Sequence, residues 1–355
     1  MSFWKGKILE IETFGESHAE KIGVKGKNFP TVKIDEEKLD EFLKRRRSSG
    51  GVFSTARKEK DLPIFVKGYD NGAIGGDFEA IIKNSNVKSG DYDALFGKPR
   101  PSHADLCAFI KNGTLDFSGG GRFSGRLTAP IAIVGGILKQ YLEERGIRIY
   151  AYLSKVGKVK GKGYSDGIDE AELKKEREFP SLARADEMLF EISEAKKSGD
   201  SVGAVAEAVV IGLKGGCGDD YFDGLEGKFS SLLYAIPAVK GVEFGAGFDF
   251  AEMRGSEAND PLRYEDGKVV SKTNNSGGIN GGISNGMPIT MRVAFRPTPS
   301  IAKEQETVDL IKKENAVIEI KGRHDACVAV RALPVIESML AIAIADEILY
   351  EEKRK

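Results

Sequence analysis

The chain of 355 residues carries 53 Lys plus Arg against 54 Asp plus Glu, a formal net charge of −1, so no global field draws it to nucleic acid or to an anionic membrane. With 41% hydrophobic and 30% charged residues it has the balance of a globular protein, and no apolar run reaches the ~20 residues of a spanning helix. Cys107, Cys217 and Cys327 form no C-x-x-C pair, which argues against a disulfide framework and a Cys-rich zinc site and leaves them as expected buried small hydrophobes. The N-terminus has early acidic residues and no apolar stretch ending in a cleavage pattern, so the expected compartment is the cytoplasm.

In chain order, residues 35–47 predict a helix. Asp35 is a candidate cap, Leu39, Phe42 and Leu43 fall at helical spacing, and Arg45, Arg46 and Arg47 complement the C-terminus. Residues 63–66 and 78–82 read as short strands. A helix is expected over 130–145 with Gly146 as its stop, and its Gly135 and Gly136 point to close packing against another backbone. A Lys- and Gly-rich stretch followed by acidic helical text makes 154–200 look like a peripheral elaboration. Residues 202–213 and 289–295 read as strands, the first followed by a turn at Gly215, Gly216 and Gly218, and 334–353 read as a C-terminal helix. Strands and helices do not alternate at βαβ spacing, which favours an α+β sandwich over a doubly wound sheet. With no repeat and no Pro-rich linker, the expectation is a single domain over 1–355.

The three histidines fall in polar strings, Phe14-Gly-Glu-Ser-His18-Ala, Arg100-Pro-Ser-His103-Ala-Asp105 and Gly322-Arg323-His324-Asp325-Ala. One such histidine would be unremarked. Three, each flanked by Ser, Asp, Glu or Arg, suggest one polar site assembled from distant segments. Ten of the eighteen arginines cluster at 45–47, Arg57, Arg100, Arg122, Arg126, Arg296, Arg323 and Arg331, whereas Lys is dispersed. Forked guanidinium groups recognise carboxylate and phosphate, so the partition points to a polyanionic small molecule.

The run Ser118-Gly-Gly-Gly-Arg-Phe-Ser-Gly-Arg126 leads into the predicted helix near Pro130, a setting in which exposed N–H groups can cradle an anion. It is neither a Walker loop nor a dinucleotide fingerprint. A second glycine-rich run, 276–288, precedes strand-like text and Arg296-Pro-Thr-Pro-Ser300, and its small residues suit either close approach to a ligand or a pair of tight turns. Zinc held by the histidines with Glu16 as base lacks the H-E-x-x-H spacing, so no metal is expected, and a Ser17–His103–Asp325 triad lacks a G-x-S-x-G elbow.

Taken together, TFGESHA, RPSHAD followed by GGGRFSGRLTA, GGISNGMPI with RPTPS, and GRHDACVAVRALPVIESM resemble, in that order, the motifs of the chorismate synthase family, and the match runs from Gly15 to the final helix. The resemblance implies a helical layer between antiparallel sheets, a homotetramer, and a carbon–oxygen lyase of the shikimate pathway. That enzyme converts 5-enolpyruvylshikimate 3-phosphate to chorismate by 1,4-elimination of phosphate, using reduced FMN without net redox change. It also implies an external flavin reductase or NAD(P)H source, since no reductase signature is visible, with no nucleic-acid or membrane partner.

By the same carry-over, His18 would protonate the leaving phosphate with Ser17 beside it, His103 would protonate or stabilise the reduced flavin, and Asp325 would act in proton removal. Substrate contacts would be Arg46, Arg57, Arg100, Arg126 and Arg323. FMN contacts would be Arg122, Phe123, Ser124, Pro237, Ala238, Gly281, Arg296, Pro297, Thr298, Pro299, Ser300 and Arg323. The chain departs from the family pattern at Ala19, Val52, Ser102, Phe123, Gly125, Leu127 and Ala326. The alternative these departures leave open is a protein that holds FMN without turnover.

Overall fold

Two five-stranded antiparallel sheets enclose a layer of helices. The computed structural model describes residues 2–16, 19–47, 60–84, 95–117, 121–320 and 325–354. Ser17, His18, Arg57 and Arg323, and the departure at Val52, lie outside the described residues.

The strands are β1 (Ser2–Lys5), β2 (Glu10–Phe14), β3 (Lys21–Lys33), β4 (Ile64–Asp70), β5 (Ala73–Lys83), β6 (Arg148–Val156), β7 (Val159–Lys160), β8 (Ala204–Ile211), β9 (Val239–Phe244), β10 (Leu262–Glu265), β11 (Lys268–Ser271), β12 (Ile279–Asn280), β13 (Ile283–Ser284), β14 (Ile289–Phe295), β15 (Gln305–Asp309) and β16 (Glu314–Ile318). The helices are α1 (Glu36–Arg46), α2 (Asp105–Asn112), α3 (Thr128–Glu143), α4 (Glu170–Lys174), α5 (Ala185–Lys197), α6 (Leu225–Tyr234), α7 (Gly255–Ala258) and α8 (Ala329–Arg354). The first sheet has the order β1-β2-β3-β5-β4 and the second β7-β6-β8-β14-β9, while β10–β11, β12–β13 and β15–β16 are separate hairpins. Between the sheets, α3 packs on β3 and β5 of the first, α8 packs on β6 and β8 of the second, and α1, α3 and α8 pack on one another. This is the expected α+β sandwich with a central helical layer.

Local chemistry sets the elements. Asp35 caps α1 by accepting from the Lys38 N–H at 3.1 Å. In β14, Ile289, Met291, Val293 and Phe295 alternate inward, as a strand with one face on the core requires. In β8, Ala204, Ala206 and Ala208 face the helices, while Val209 packs on the other face with Tyr152 and Leu173. The 154–200 region thus contributes β7 to the sheet edge and Leu173 of α4 to its outer cover.

Helix α3 begins at Thr128, two residues before Pro130, because Thr128 turns its hydroxyl back to the Gly125 carbonyl at 2.6 Å. Helix α8 begins at Ala329 rather than at Pro334, which lies inside the helix. The helix therefore starts five residues before the expected 334, and Pro334 is not its first-turn residue. Cys217 and Cys327 are buried as expected, but Cys107 is exposed, because α2 turns Leu106, Cys107 and Ile110 outward.

Gly135 and Gly136 are where the helical layer closes. A Cβ at Gly135 would lie 2.4 Å from the Ser338 Cα of α8, and one at Gly136 would lie 2.5 Å from Leu39 of α1. Overpacking against backbone costs about 1–3 kcal/mol, whereas Ala in place of Gly within a helix gains about 1 kcal/mol. Gly135→Ala is therefore expected to lower the unfolding free energy by about 1 kcal/mol net, read as a lower urea midpoint. A midpoint at or above wild type would contradict the close crossing of α3 and α8.

Candidate functional site

The site is built where the C-terminus of α1 and the N-termini of α3 and α8 come together. Arg46, the last residue of α1, is buried, and its donors all meet protein acceptors. Nε donates to Thr128 Oγ1 at 3.0 Å, Nη1 to Asp61 Oδ2 at 3.2 Å, and Nη2 to the carbonyls of Gly125 and Arg126 at 2.9 and 3.2 Å. Arg126 shares the same carboxylate, donating from Nη1 to Asp61 Oδ1 at 2.5 Å, and uses Nε and Nη2 on Asn84 Oδ1 at 3.2 and 3.0 Å. Asp61 thus holds two guanidinium groups at once. It does so from a left-handed backbone (φ 43°), which Asp, like Asn, adopts more readily than other residues with a side chain.

A second carboxylate organises the RPSHAD segment. Arg100 is buried and grips Asp105 in a fork, Nε to Oδ2 at 2.7 Å and Nη2 to Oδ1 at 2.9 Å, while also donating to the Phe117 carbonyl at 3.2 Å and to Ser300 Oγ at 3.4 Å. His103 Nδ1 lies 2.5 Å from Asp105 Oδ1, so Nδ1 carries the proton and donates. The 3.1 Å approach of Arg100 Nη2 to the same nitrogen is then proximity between two donors. His103 Nε2 makes no hydrogen bond among the described residues. Ser102, where the family motif has Gly, adopts φ 57°, which explains the usual glycine at this turn.

The segment after β14 joins these groups. Thr298 Oγ1 donates to the Asp325 carbonyl at 3.0 Å. Arg331, on the first turn of α8, donates from Nη1 to Asp325 Oδ2 at 2.8 Å and from Nε to the Arg46 carbonyl at 2.9 Å. Contacts therefore run unbroken from Asn84 through Arg126, Asp61, Arg46, Arg331 and Asp325 to Thr298, and Ser300, two residues on, accepts from Arg100, which grips Asp105, the partner of His103. Of the residues expected from the sequence, the structure brings Arg46, Arg100, Arg126, His103, Asp325, Thr298 and Ser300 into one network, with Pro297 and Pro299 in its backbone. Asp61 and Asn84 lie 65 and 42 residues from the Arg126 they bind and carry no local signature, whereas Asp105 and Arg331 stand within the histidine and arginine strings, which mark them without giving their partners.

Two expected FMN contacts differ from the wrapped arginines. Arg296 and Arg122 make no ion pair or side-chain hydrogen bond among the described residues; Arg122 only lies over the Phe123 ring at 5.6 Å. Partial burial lowers the pKa of Arg296, with no carboxylate beside it to raise it. The Arg296 N–H donates to the Ala238 carbonyl at 3.0 Å, which brings 237–238 to the same segment. Ala238 itself adopts φ 74°, a strained conformation of the kind found at ligand sites.

Cβ atoms at Gly121 and Gly125 would meet open space beside Arg122 and Arg126. Ser124 caps the short turn between them, accepting from the Arg126 N–H at 3.2 Å. Phe123 is 42% exposed, so any polar contact there is through its backbone. Guanidinium groups without an anionic partner among the described residues, and glycine-lined backbone beside Arg122, are the chemistry that suits a phosphate. Gly281 stands apart: it lies in the β12–β13 turn at the N-terminal end of α6, where the Leu225 N–H donates to Gly282, whereas Pro237 and Ala238 follow the C-terminal end of that helix. Among the described residues no group of three or more His, Cys, Asp or Glu is placed to hold a metal ion.

Asp105 is the electrostatic hinge of the histidine. Burial alone would push its carboxyl up, but hydrogen bonds from His103 and Arg100 outweigh burial and hold it at about 2. A depressed carboxylate stabilises the fold above its unfolded value of 3.8 and loses that contribution as the pH falls toward 2. Asp105→Asn is expected to cost about 3 kcal/mol at neutral pH. Of this, at most about 2 kcal/mol disappears between pH 4 and pH 2 once solvent screening is allowed for. Thermal melts of both proteins across that range check this, and a gap independent of pH would refute it.

A sequence model of the family described as chorismate synthase matches residues 9–349. The chain is 44% identical over 350 residues to a protein named chorismate synthase from Pyrococcus abyssi, covering 98% of this chain and 97% of that one. It is 42% identical over 351 residues to one of the same name from Thermococcus kodakarensis, covering 97% of each. A solved structure titled as a crystal structure of chorismate synthase superposes with a TM-score of 0.74 at 26% identity, over 98% of this chain and 93% of the other. Motif order, the β-α-β layering and these full-length matches agree, and the chain belongs to the chorismate synthase family.

Proposed function

We propose that the protein catalyses the 1,4-elimination of phosphate from 5-enolpyruvylshikimate 3-phosphate to give chorismate, with reduced FMN bound in the same site. The observation that carries this reading is the arginine network closed by Asp61 and Asp105, with His103 Nε2 and Asp325 at its edges. The substrate brings a phosphate and two carboxylates, and the site concentrates fixed cations to receive them. Reduced FMN, when bound, supplies electron density that is returned at the end of the turnover.

In this reading the chain's own groups do the following. Arg122 and Arg296, which have no anionic partner among the described residues, hold the flavin phosphate, with the backbone of 121–125 and 297–300 around it. Arg46, Arg100 and Arg126, fixed by their aspartates, supply a positive wall with little reorganisation as the phosphate departs. His103, its Nδ1 held by Asp105, keeps Nε2 available to hold or release a proton toward the flavin. Asp325 receives the proton lost from the substrate. His18 with Ser17, and Arg57 and Arg323, complete the assignment by family motif, as general acid on the phosphate and as anion contacts.

The remaining parts of the reading are a single catalytic domain over 1–355, a cytoplasmic location, a homotetramer, and an external flavin reductase or NAD(P)H-dependent source of reduced flavin. Among the described residues no helix is long and apolar enough to cross a membrane. Exposed Phe3 on edge strand β1, and Phe222 and Phe248 on the opposite sheet's connections, offer apolar surface for subunit contacts. A flavin-holding protein without turnover is the reading to be excluded.

An anaerobic assay with reduced FMN and 5-enolpyruvylshikimate 3-phosphate, following phosphate and chorismate together, is expected to give stoichiometric product. Tight FMN binding with no turnover would leave the flavin holder standing. His103→Ala is expected to lower kcat by about 10²-fold or more. Arg296→Ala is expected to weaken FMN binding by about 10- to 100-fold, the worth of one charge-assisted contact, with little change in Tm because this side chain makes no hydrogen bond or ion pair among the described residues. Unaltered FMN affinity would remove Arg296 from the cofactor site.

A further inference from the structure

Among the clustered arginines, Arg331 has neither a cofactor nor a substrate contact assigned to it, yet it makes two of the contacts that hold the network together. We propose that Arg331 is a positioning residue for Asp325, aiming its carboxylate at the proton lost in the elimination; the proposal rests on the role given to Asp325 above.

The geometry is specific. Asp325 lies in the segment between β16 and α8, outside any helix or strand. Its backbone is pinned from one side by the Thr298 hydroxyl, at 3.0 Å from the Asp325 carbonyl. Its carboxylate is pinned from the other side by Arg331 Nη1, at 2.8 Å from Oδ2. Arg331 is itself braced, since Nε donates at 2.9 Å to the carbonyl of Arg46, the last residue of α1 and one of the acceptors a helix C-terminus leaves unpaired.

Both members of the pair are largely enclosed, with side-chain exposures of 19% for Arg331 and 13% for Asp325, so the contact is not a screened surface pair. A planar guanidinium can satisfy two acceptors in fixed, different directions, which a lysine ammonium on a flexible stem cannot do in one pose. Arg331 thus ties the position of Asp325 to that of Arg46, and through Asp61 to Arg126. The group proposed to take the proton is registered against the cations proposed to face the substrate.

The test compares full-length wild type, Arg331→Lys, Arg331→Met and Asp325→Asn, with reduced FMN and with substrate carrying either hydrogen or deuterium at the position that loses its proton. Misplacing a reacting group by about 1 Å costs about 10²-fold. Arg331→Met is therefore expected to lose about that much in kcat with KM changed less than about threefold, and to show a raised deuterium isotope effect as proton removal becomes limiting. Arg331→Lys is expected to recover part of kcat, and carries the test if Arg331→Met does not fold.

A residue that merely capped α1 would lower Tm and leave the isotope effect at its wild-type value, and that result overturns the proposal. So does kcat within about twofold of wild type in a folded variant. Wild-type turnover by Asp325→Asn removes the role of Asp325 itself, and the proposal with it. An inactive Asp325→Asn beside a fully active Arg331→Met overturns only the positioning by Arg331.

Discussion

The structure depends on keeping several guanidinium groups close together in a place poor in water. Arg46 and Arg126 are both buried and approach the same carboxylate, Asp61, and without it their mutual repulsion in a low-dielectric setting would amount to several kcal/mol. Arg100 and Asp105 repeat the arrangement at the other end of the network. Each carboxylate is bound by more than one donor, so each is both a neutraliser and a spacer. Among these three side chains the guanidinium groups of Arg46 and Arg126 outnumber the Asp61 carboxylate by one.

The helical layer brings these charges together. Helices α3 and α8 cross at Gly135 and Ser338, so their N-termini come to the same end of the sandwich as the C-terminus of α1. Two positive helix ends there add to the field of the arginines. One layer deeper, Glu337 of α8 accepts from Arg45 of α1 at 2.6 and 3.0 Å, from the Ala151 N–H of β6 at 3.1 Å and from Lys139 of α3. Burial would raise the Glu337 carboxyl, but Arg45 and Lys139 outweigh it and hold it below the usual range. Neighbouring arginines of one RRR string therefore serve different ends: Arg45 locks the helices together and Arg46 enters the site.

Much of this architecture is legible in the sequence where the signal is local. Asp35 as a cap, the glycine pair at 135–136 and the alternation in 289–295 each encode their own structure within a few residues. Strands β1 to β3, helix α2 and the β15–β16 hairpin escape that reading. In β3, Lys21–Lys33, charged residues and glycines interrupt the alternation, and β15 and β16 are short and largely polar. The histidine and arginine strings mark the site, but they cannot say which arginines are wrapped and which are open. That division depends on Asp61 and Asp105, one of them 65 residues from the Arg126 it binds.

The same distinction accounts for how the chain departs from its family's motifs without dismantling the site. At Gly125 the network uses only the carbonyl, which accepts from Arg46 and Thr128, so the side chain at that position is not part of the contact. At Ala326 the carbonyl again does the work, accepting from the Val202 N–H at 2.9 Å and fixing the segment of Asp325 against β8. Ser102 takes the left-handed turn that glycine would take more cheaply, leaving His103 on Asp105. Phe123 is exposed and stands over none of the wrapped arginines. At Gly125, Ser102 and Ala326 the departures thus fall where the network uses backbone, while the charge around them is carried and neutralised by the side chains of Arg46, Arg100, Arg126, Asp61 and Asp105.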